Sequence, residues 1–241
     1  MIRLPGRSLR DEAVRTLTMG ALGVVAAATL ARPMLGATPA YPLKAVMLFV
    51  IVMGIAIGHL HQGHPYTRFG AANRITSARV GIVGLVAGLL GDTLSANATI
   101  AVPGAAAVAL VLDGLDGYAA RRTKMASGFG ARFDMETDAF FILVLSALVW
   151  RAGKAGAWIL LAGLMRYLFV AALQMFTWMR RQEPASIRRK AICLVQVLGL
   201  SLVMLPLFAP PVSTWWCAAV LATLFYSFGV DTLWLWRHRL D

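Results

Sequence analysis

Residues 98–138 read ATIAVPGAAAVALVLDGLDGYAARRTKMASGFGARFDMETD: an apolar run ending in Asp113 and Asp116, a basic turn, and a second segment that opens with Asp134 and Asp138. At ~1.5 Å of rise per residue, the apolar run is long enough to cross ~30 Å of hydrocarbon. The turn from Arg122 to Phe129 is short, so the two segments fold as an antiparallel helical hairpin. Asp113 and Asp116 stand at i and i+3, Asp134 and Asp138 at i and i+4. Each pair therefore shares a helix face, and the four carboxylates converge near one end of the hairpin.

The rest of the chain sets this hairpin in a membrane. With 241 residues, 59% of them hydrophobic and only 14% charged, and a mean hydropathy of +0.70, the composition excludes an ordinary soluble domain. Eight hydrophobic helices are expected, over about residues 13–31, 43–61, 74–91, 98–121, 131–151, 155–179, 190–209 and 212–235. The fold class is all-α, a polytopic transmembrane helical bundle in a single membrane domain, 1–241. The first run is short and follows Arg3, Arg7, Arg10 and Arg15. It reads as a retained span, with a cleaved signal peptide as the alternative. Ser8 and Asp11 have the spacing of a capping box, which predicts a short interfacial helix ahead of that span.

The net charge of +12 is distributed as loop charge, with 18 of the 23 Lys and Arg residues in the segments 1–15, 62–79, 121–132, 180–190 and 237–239. That pattern sets orientation and favours anionic headgroups or phosphates; no nucleic acid is expected as a partner. Both termini and the Asp113–Asp138 turn are expected to face the cytoplasm, in a bacterial inner membrane. Cys193 and Cys217 fall inside apolar runs, so neither a disulfide nor a thiolate site is expected.

An ionised Asp, Lys or Arg costs about 2.5–3.5 kcal/mol at the centre of a spanning helix, and four carboxylates gathered at the end of the hairpin need compensation. Ion pairs with Arg121, Arg122, Lys124 and Arg132 are one way to supply it. Divalent cations are the other, because hard carboxylate oxygens suit Mg²⁺ or Mn²⁺, and two such ions ~3.5–4 Å apart clamp a diphosphate. Gly114, Gly117 and Gly130 each weaken a helix by up to ~1 kcal/mol, a cost that fits close approach of a ligand or a neighbouring backbone. Arg121 continues the face of Asp113 and Asp116, in reach of phosphate oxygens.

Written out, the spacing is D-x2-D-G-x2-A-R-x8-G-x3-D-x3-D, which resembles the signature of the CDP-alcohol phosphatidyltransferase family at every fixed position. Asn73, Thr76 and Arg79 likewise resemble the Asn-x2-Thr-x2-Arg that opens the family's first core span. The resemblance implies a six-helix core over 73–241, preceded by an extension, 1–72, with two hydrophobic segments. It implies that Asp113, Asp116, Asp134 and Asp138 bind two ions, Mg²⁺ or Mn²⁺, with Asp138 also the general base. Gly117, Ala120, Arg121, Gly130, Asn73 and Thr76 would contact the CDP part of the donor. The reaction implied is transfer of a phosphatidyl group from CDP-diacylglycerol to a small alcohol, releasing CMP. Membrane lipids and a second copy of the chain, as a homodimer, are compatible partners.

Arg132, Arg188, Arg189 and Lys190 are candidates for an acceptor phosphate, which favours glycerol 3-phosphate over serine or inositol; a purely topological role is the alternative for Arg188–Lys190. His59, His61 and His64 precede Pro65 without a regular face and read as interfacial. Arg166 lies within a span, and Asp231 is expected to pair with Arg237 or Arg239. A divalent-metal transporter would also use membrane carboxylates, but its polar groups should run through the membrane depth rather than gather at one face.

Overall fold

A computed structural model describes residues 7–176 and 186–237. The expected contributions of Arg3, Arg180, Arg181 and Arg239, and the end of the expected 155–179 helix, lie outside the described residues. Eight α-helices follow one another among those residues: α1 (Arg7–Leu35), α2 (Tyr41–Gly58), α3 (Ala71–Ala87), α4 (Ala96–Arg122), α5 (Gly128–Arg151), α6 (Leu160–Met175, entered through a 3₁₀ turn at Ala157–Ile159), α7 (Ile187–Leu202) and α8 (Val212–Arg237).

Each expected helix has a counterpart, but among the described residues five are long and apolar enough to cross a membrane: α1, α2, α4, the 3₁₀ turn with α6, and α8. The others fall short for reasons visible in their residues. α3 has 17 residues and carries Arg74 and Arg79. α5 has 24, yet its first turns hold Arg132, Asp134, Glu136 and Asp138. α7 opens on Arg188, Arg189 and Lys190 and stops at Leu202, ahead of three prolines.

The N-terminus also departs from expectation. α1 is one continuous helix of 29 residues, with no separate interfacial piece. Ser8 lies inside its first turn and donates its hydroxyl to the Thr67 carbonyl at 3.2 Å, so it is not the cap of a capping box.

The chain divides into two compact units, Met1–Phe140 and Phe141–Asp241. In the first, α3 packs against α1, α2 and α4. Small residues permit the approach: a Cβ on Gly84 would lie 2.9 Å from the Ala45 carbonyl oxygen of α2. Polar contacts secure both ends of the α1–α2 hairpin. At one end Glu12 Oε2 accepts from Phe69 N–H at 3.1 Å and from Arg74 Nη2 at 3.2 Å. At the other, Asp92 meets Lys44 Nζ at 2.5 Å and the Thr38 N–H at 3.0 Å, and Ser95 Oγ donates to the Leu35 carbonyl at 2.6 Å. The two N-terminal helices are thus built into the first unit.

In the second unit α7 packs on α8, where a Cβ on Gly199 would stand 2.5 Å from Val220 Cγ2. Gly163 of α6 lies so near α5 that a Cβ there would be 2.3 Å from Leu143 Cα. Alanine normally gains ~1 kcal/mol over glycine inside a helix, but here the obstructing atom is backbone. Gly163→Ala is therefore expected to destabilise by about 1–3 kcal/mol, as overpacking does. Gly54→Ala, which meets nothing within 4 Å, serves as the control and should leave stability unchanged or raised. A thermal melt of the two purified variants checks this; an unchanged melting temperature for Gly163→Ala would contradict the close packing of α5 and α6.

Candidate active site

The turn joining α4 to α5 is held by its own residues and by the loop before α3. Lys124 takes a left-handed φ of 52°, the geometry that closes a helix. Ser127 Oγ accepts from the Gly130 N–H at 3.0 Å and so caps α5. The Tyr66 hydroxyl lies 3.0 and 3.1 Å from the carbonyl oxygens of Lys124 and Ala126, and the Phe129 N–H donates to the Gly63 carbonyl at 3.1 Å. His64 packs edge-on to Phe129, its Nδ1 3.3 Å from the Tyr66 carbonyl and its Nε2 3.2 Å from Asn73 Nδ2. Burial pushes the His64 pKa below its ordinary value, outweighing the bonds to backbone carbonyls. The neutral ring can then donate from Nδ1 and accept at Nε2. These contacts give His64 a scaffolding role in the turn.

With the hairpin so fixed, the four aspartates meet around one guanidinium. Arg79 Nη2 is 2.8 Å from Asp113 Oδ1 and also pairs with Asp138, while Nη1 is 2.9 Å from Asp116 Oδ2 and also pairs with Asp134. The Arg79 side chain is 4% exposed. Asp116 is equally enclosed and is further held by the Thr76 hydroxyl at 2.9 Å, whereas Asp113 and Asp134 are 39% exposed. The local ion pairs that stood as the alternative to metal are not formed: no ion pair joins Arg121, Arg122, Lys124 or Arg132 to these aspartates among the described residues, and Arg122 donates to the Tyr118 hydroxyl at 2.9 Å.

Arg79 is the functional residue that the sequence reading leaves without a role. Its signal was present in Asn73-x2-Thr76-x2-Arg79, which spaces three polar residues along one broad face of α3. What hid it was distance in sequence, since Arg79 lies 34 residues before Asp113.

A divalent cation fits this donor set. Ligand oxygens of Asp113, Asp116 and Asp134 lie within 4.8 Å of one another, so each ionised pair repels by at least ~3.5 kcal/mol at an effective dielectric near 20. Four carboxylates against one guanidinium leave negative charge that Arg79 alone does not balance. Close-set hard oxygens with an excess of negative charge suit Mg²⁺ or Mn²⁺.

The remaining site residues divide into supports and free groups. Asn73 and Thr76 are buried, and their side chains make internal bonds: Asn73 Nδ2 to the Phe69 carbonyl at 2.6 Å, Thr76 to Asp116. Gly130 makes room for its neighbours, since a Cβ there would lie 3.1 Å from Asn73 Oδ1 and 3.2 Å from Ser127 Oγ. Gly117 is covered by its own helix, with Arg121 Nη1 3.3 Å from where a Cβ would be, and Gly114 meets nothing within 4 Å. Ala120 is half-buried beside them; Arg121 and Arg132 are exposed.

In the second unit, Asp231 pairs with Arg188 and lies 3.5 Å from Arg189, where the sequence suggested Arg237 or Arg239 as its partner. Lys190 is exposed. Cys217 is buried and Cys193 half-buried, and neither is in a disulfide among the described residues.

No curated protein and no solved structure matches the chain. Residues 69–226 match the family described as CDP-alcohol phosphatidyltransferase, a stretch that begins at Phe69 and contains Arg79, Thr76 and all four aspartates. The chain therefore belongs to the CDP-alcohol phosphatidyltransferase family, a membrane-embedded transferase of phospholipid metabolism.

Proposed function

We propose that this enzyme moves a phosphatidyl group from CDP-diacylglycerol to a phosphorylated polyol, glycerol 3-phosphate first, with release of CMP. The observation that carries the reading is the convergence of four carboxylates from α4 and α5 on Arg79, inside a chain of this family. Its membrane core would comprise the six helices α3–α8, with the carboxylate end at the cytoplasmic face where loop charge collects.

Asp113, Asp116 and Asp134 would hold divalent metal, with Asp138 beside them as a further ligand. Bound there, Mg²⁺ or Mn²⁺ would supply positive charge to the donor diphosphate and to the developing charge of the leaving phosphate. The chain's own residues do the rest. Asp138 lies outside the trio whose ligand atoms cluster most closely, which supports giving it the proton of the acceptor hydroxyl. As that proton passes to the Asp138 carboxylate, the acceptor oxygen bonds to the lipid-side phosphorus and the bond from that phosphorus to the CMP oxygen breaks. Arg79 fixes the orientation of Asp138 while this happens. Arg121, exposed and without an ion pair among the described residues, is free to turn toward the diphosphate and stabilise CMP as it leaves.

For the acceptor phosphate, the surroundings of the basic candidates support one over the others. Arg188 and Arg189 already face Asp231, which lowers the charge they offer a second anion. Arg132, exposed two residues before Asp134, has no such partner among the described residues and is the residue we assign to the acceptor.

Two outcomes test the reading. Asp138→Asn should lower CMP formation by about 10²–10⁴-fold, the usual worth of a positioned base, while CDP-diacylglycerol binding measured by isothermal titration persists. Loss of donor binding together with activity would make Asp138 chiefly a ligand, and full turnover would remove it from the reaction. Arg132→Gln should raise the KM for glycerol 3-phosphate about tenfold, the worth of ~1.4 kcal/mol in phosphate binding, with the donor KM nearly unchanged. Efficient use of free serine or inositol, with no response to glycerol 3-phosphate, would overturn the phosphorylated acceptor.

A further inference from the structure

α3 has two faces. Thr76, Arg79 and Val83 turn toward the carboxylates and the interior, and on the opposite side Arg74, Ala78, Ile82 and Leu85 line a groove shared with α1. The groove has a volume of about 720 Å³ and lies wholly within the first unit, which is in the ~300–1,000 Å³ range of small-molecule sites. Phe49 of α2, 1% exposed, closes its base against Gly20, and Val24 packs against Gly81. Along α1 the wall runs from Arg15 through Met19 and Gly23 to Ala27. Half of the groove thus comes from a helix that precedes the family's residues 69–226.

Its dimensions and polarity are graded. From Arg15 to Ala27, and from Arg74 to Leu85, the walls extend roughly 16–18 Å at ~1.5 Å per residue, close to the ~15 Å hydrocarbon depth of one leaflet. The charges all sit at one end. Arg15 is exposed and has no ion-pair partner among the described residues. Arg74, 58% exposed, shares Glu12 at 3.2 Å, and Glu12 also accepts the Phe69 N–H. Two arginines against one glutamate leave one positive charge over a trough of apolar and small side chains one leaflet deep.

We propose that this groove binds one anionic phospholipid from the surrounding leaflet, its phosphate at Arg15 and Arg74 and an acyl chain laid between α1 and α3 past Gly23 and Ile82. The single net charge at the mouth complements a headgroup of net charge −1, whereas a zwitterionic headgroup brings its own ammonium to the same place. The site is separate from the carboxylate cluster, which lies on the other face of α3, and it gives the α1–α2 hairpin a function: completing a lipid seat on the helix that carries Arg79.

The test titrates the purified full-length chain in detergent with dioleoylphosphatidylglycerol and, separately, with dioleoylphosphatidylcholine, and counts retained lipids by native mass spectrometry. One phosphatidylglycerol should be retained with an apparent Kd about tenfold below that of phosphatidylcholine. Arg15→Gln should abolish that preference. Gly23→Leu, where a new Cβ meets nothing within 4 Å, should fill the groove and remove binding of both lipids while the thermal melt stays as in the wild type. Equal affinity for the two lipids overturns the proposal, as does phosphatidylglycerol binding unchanged in both variants. A mass of two chains that Gly23→Leu dissociates also overturns it, because the groove is then the seat of a second copy.

Discussion

One buried guanidinium organises the catalytic end of the first unit. Arg79 faces Asp113, Asp116, Asp134 and Asp138 at once, and so ties α3 to both arms of the α4–α5 hairpin. Removing one partner of a buried ion pair typically costs ~3–5 kcal/mol, because a charge is left uncompensated. Here the imbalance is built in, since the carboxylates outnumber the arginine. The arrangement is therefore less a structural salt bridge than a concentrated negative site whose geometry Arg79 holds. Thr76 bonded to Asp116, and Asn73 bonded to Phe69 and His64, extend that support backward along α3. The exposed carboxylates, Asp113 and Asp134, are the ones open to a ligand.

The α1–α2 hairpin belongs to the same construction. Glu12 at one end, and Asp92 with Ser95 at the other, fasten it to the residues that open and follow α3. α3 thus serves two neighbourhoods, with its polar face on the carboxylates and its small, apolar face on α1. A 17-residue helix carrying two arginines is poorly suited to stand alone in lipid. Packed between α1, α2 and α4, it is sheltered, and its arginines reach partners on either side.

Much of this was legible in the sequence, for identifiable reasons. Helix existence followed from apolar runs, and the pairing of aspartates followed from i, i+3 and i, i+4 spacing within single helices. Contacts across helices were not legible in the same way. Arg79 could be read only as a motif residue, because nothing in its neighbourhood announces that α3 turns it toward carboxylates on α4 and α5. The same holds for Asp231, which pairs with Arg188 across α7 and α8. The glycines of the signature show the limit most clearly. Gly130 yields space to Asn73 and Gly117 to Arg121, while Gly114 faces open space, so three residues with one apparent rationale have three different surroundings. Ser8 misled for a local reason, because α1 begins earlier than its apolar stretch and carries the serine inside the helix.

The central claim is that Asp113, Asp116 and Asp134 form a divalent-metal centre braced by Arg79. Anomalous diffraction from crystals of the full-length enzyme grown with Mn²⁺ tests it most directly. The account predicts an anomalous peak among those three carboxylates, with the Arg79 guanidinium still in ion-pair contact with Asp116. A peak elsewhere, or no peak at saturating Mn²⁺ with the four aspartates still closed around Arg79, would contradict it.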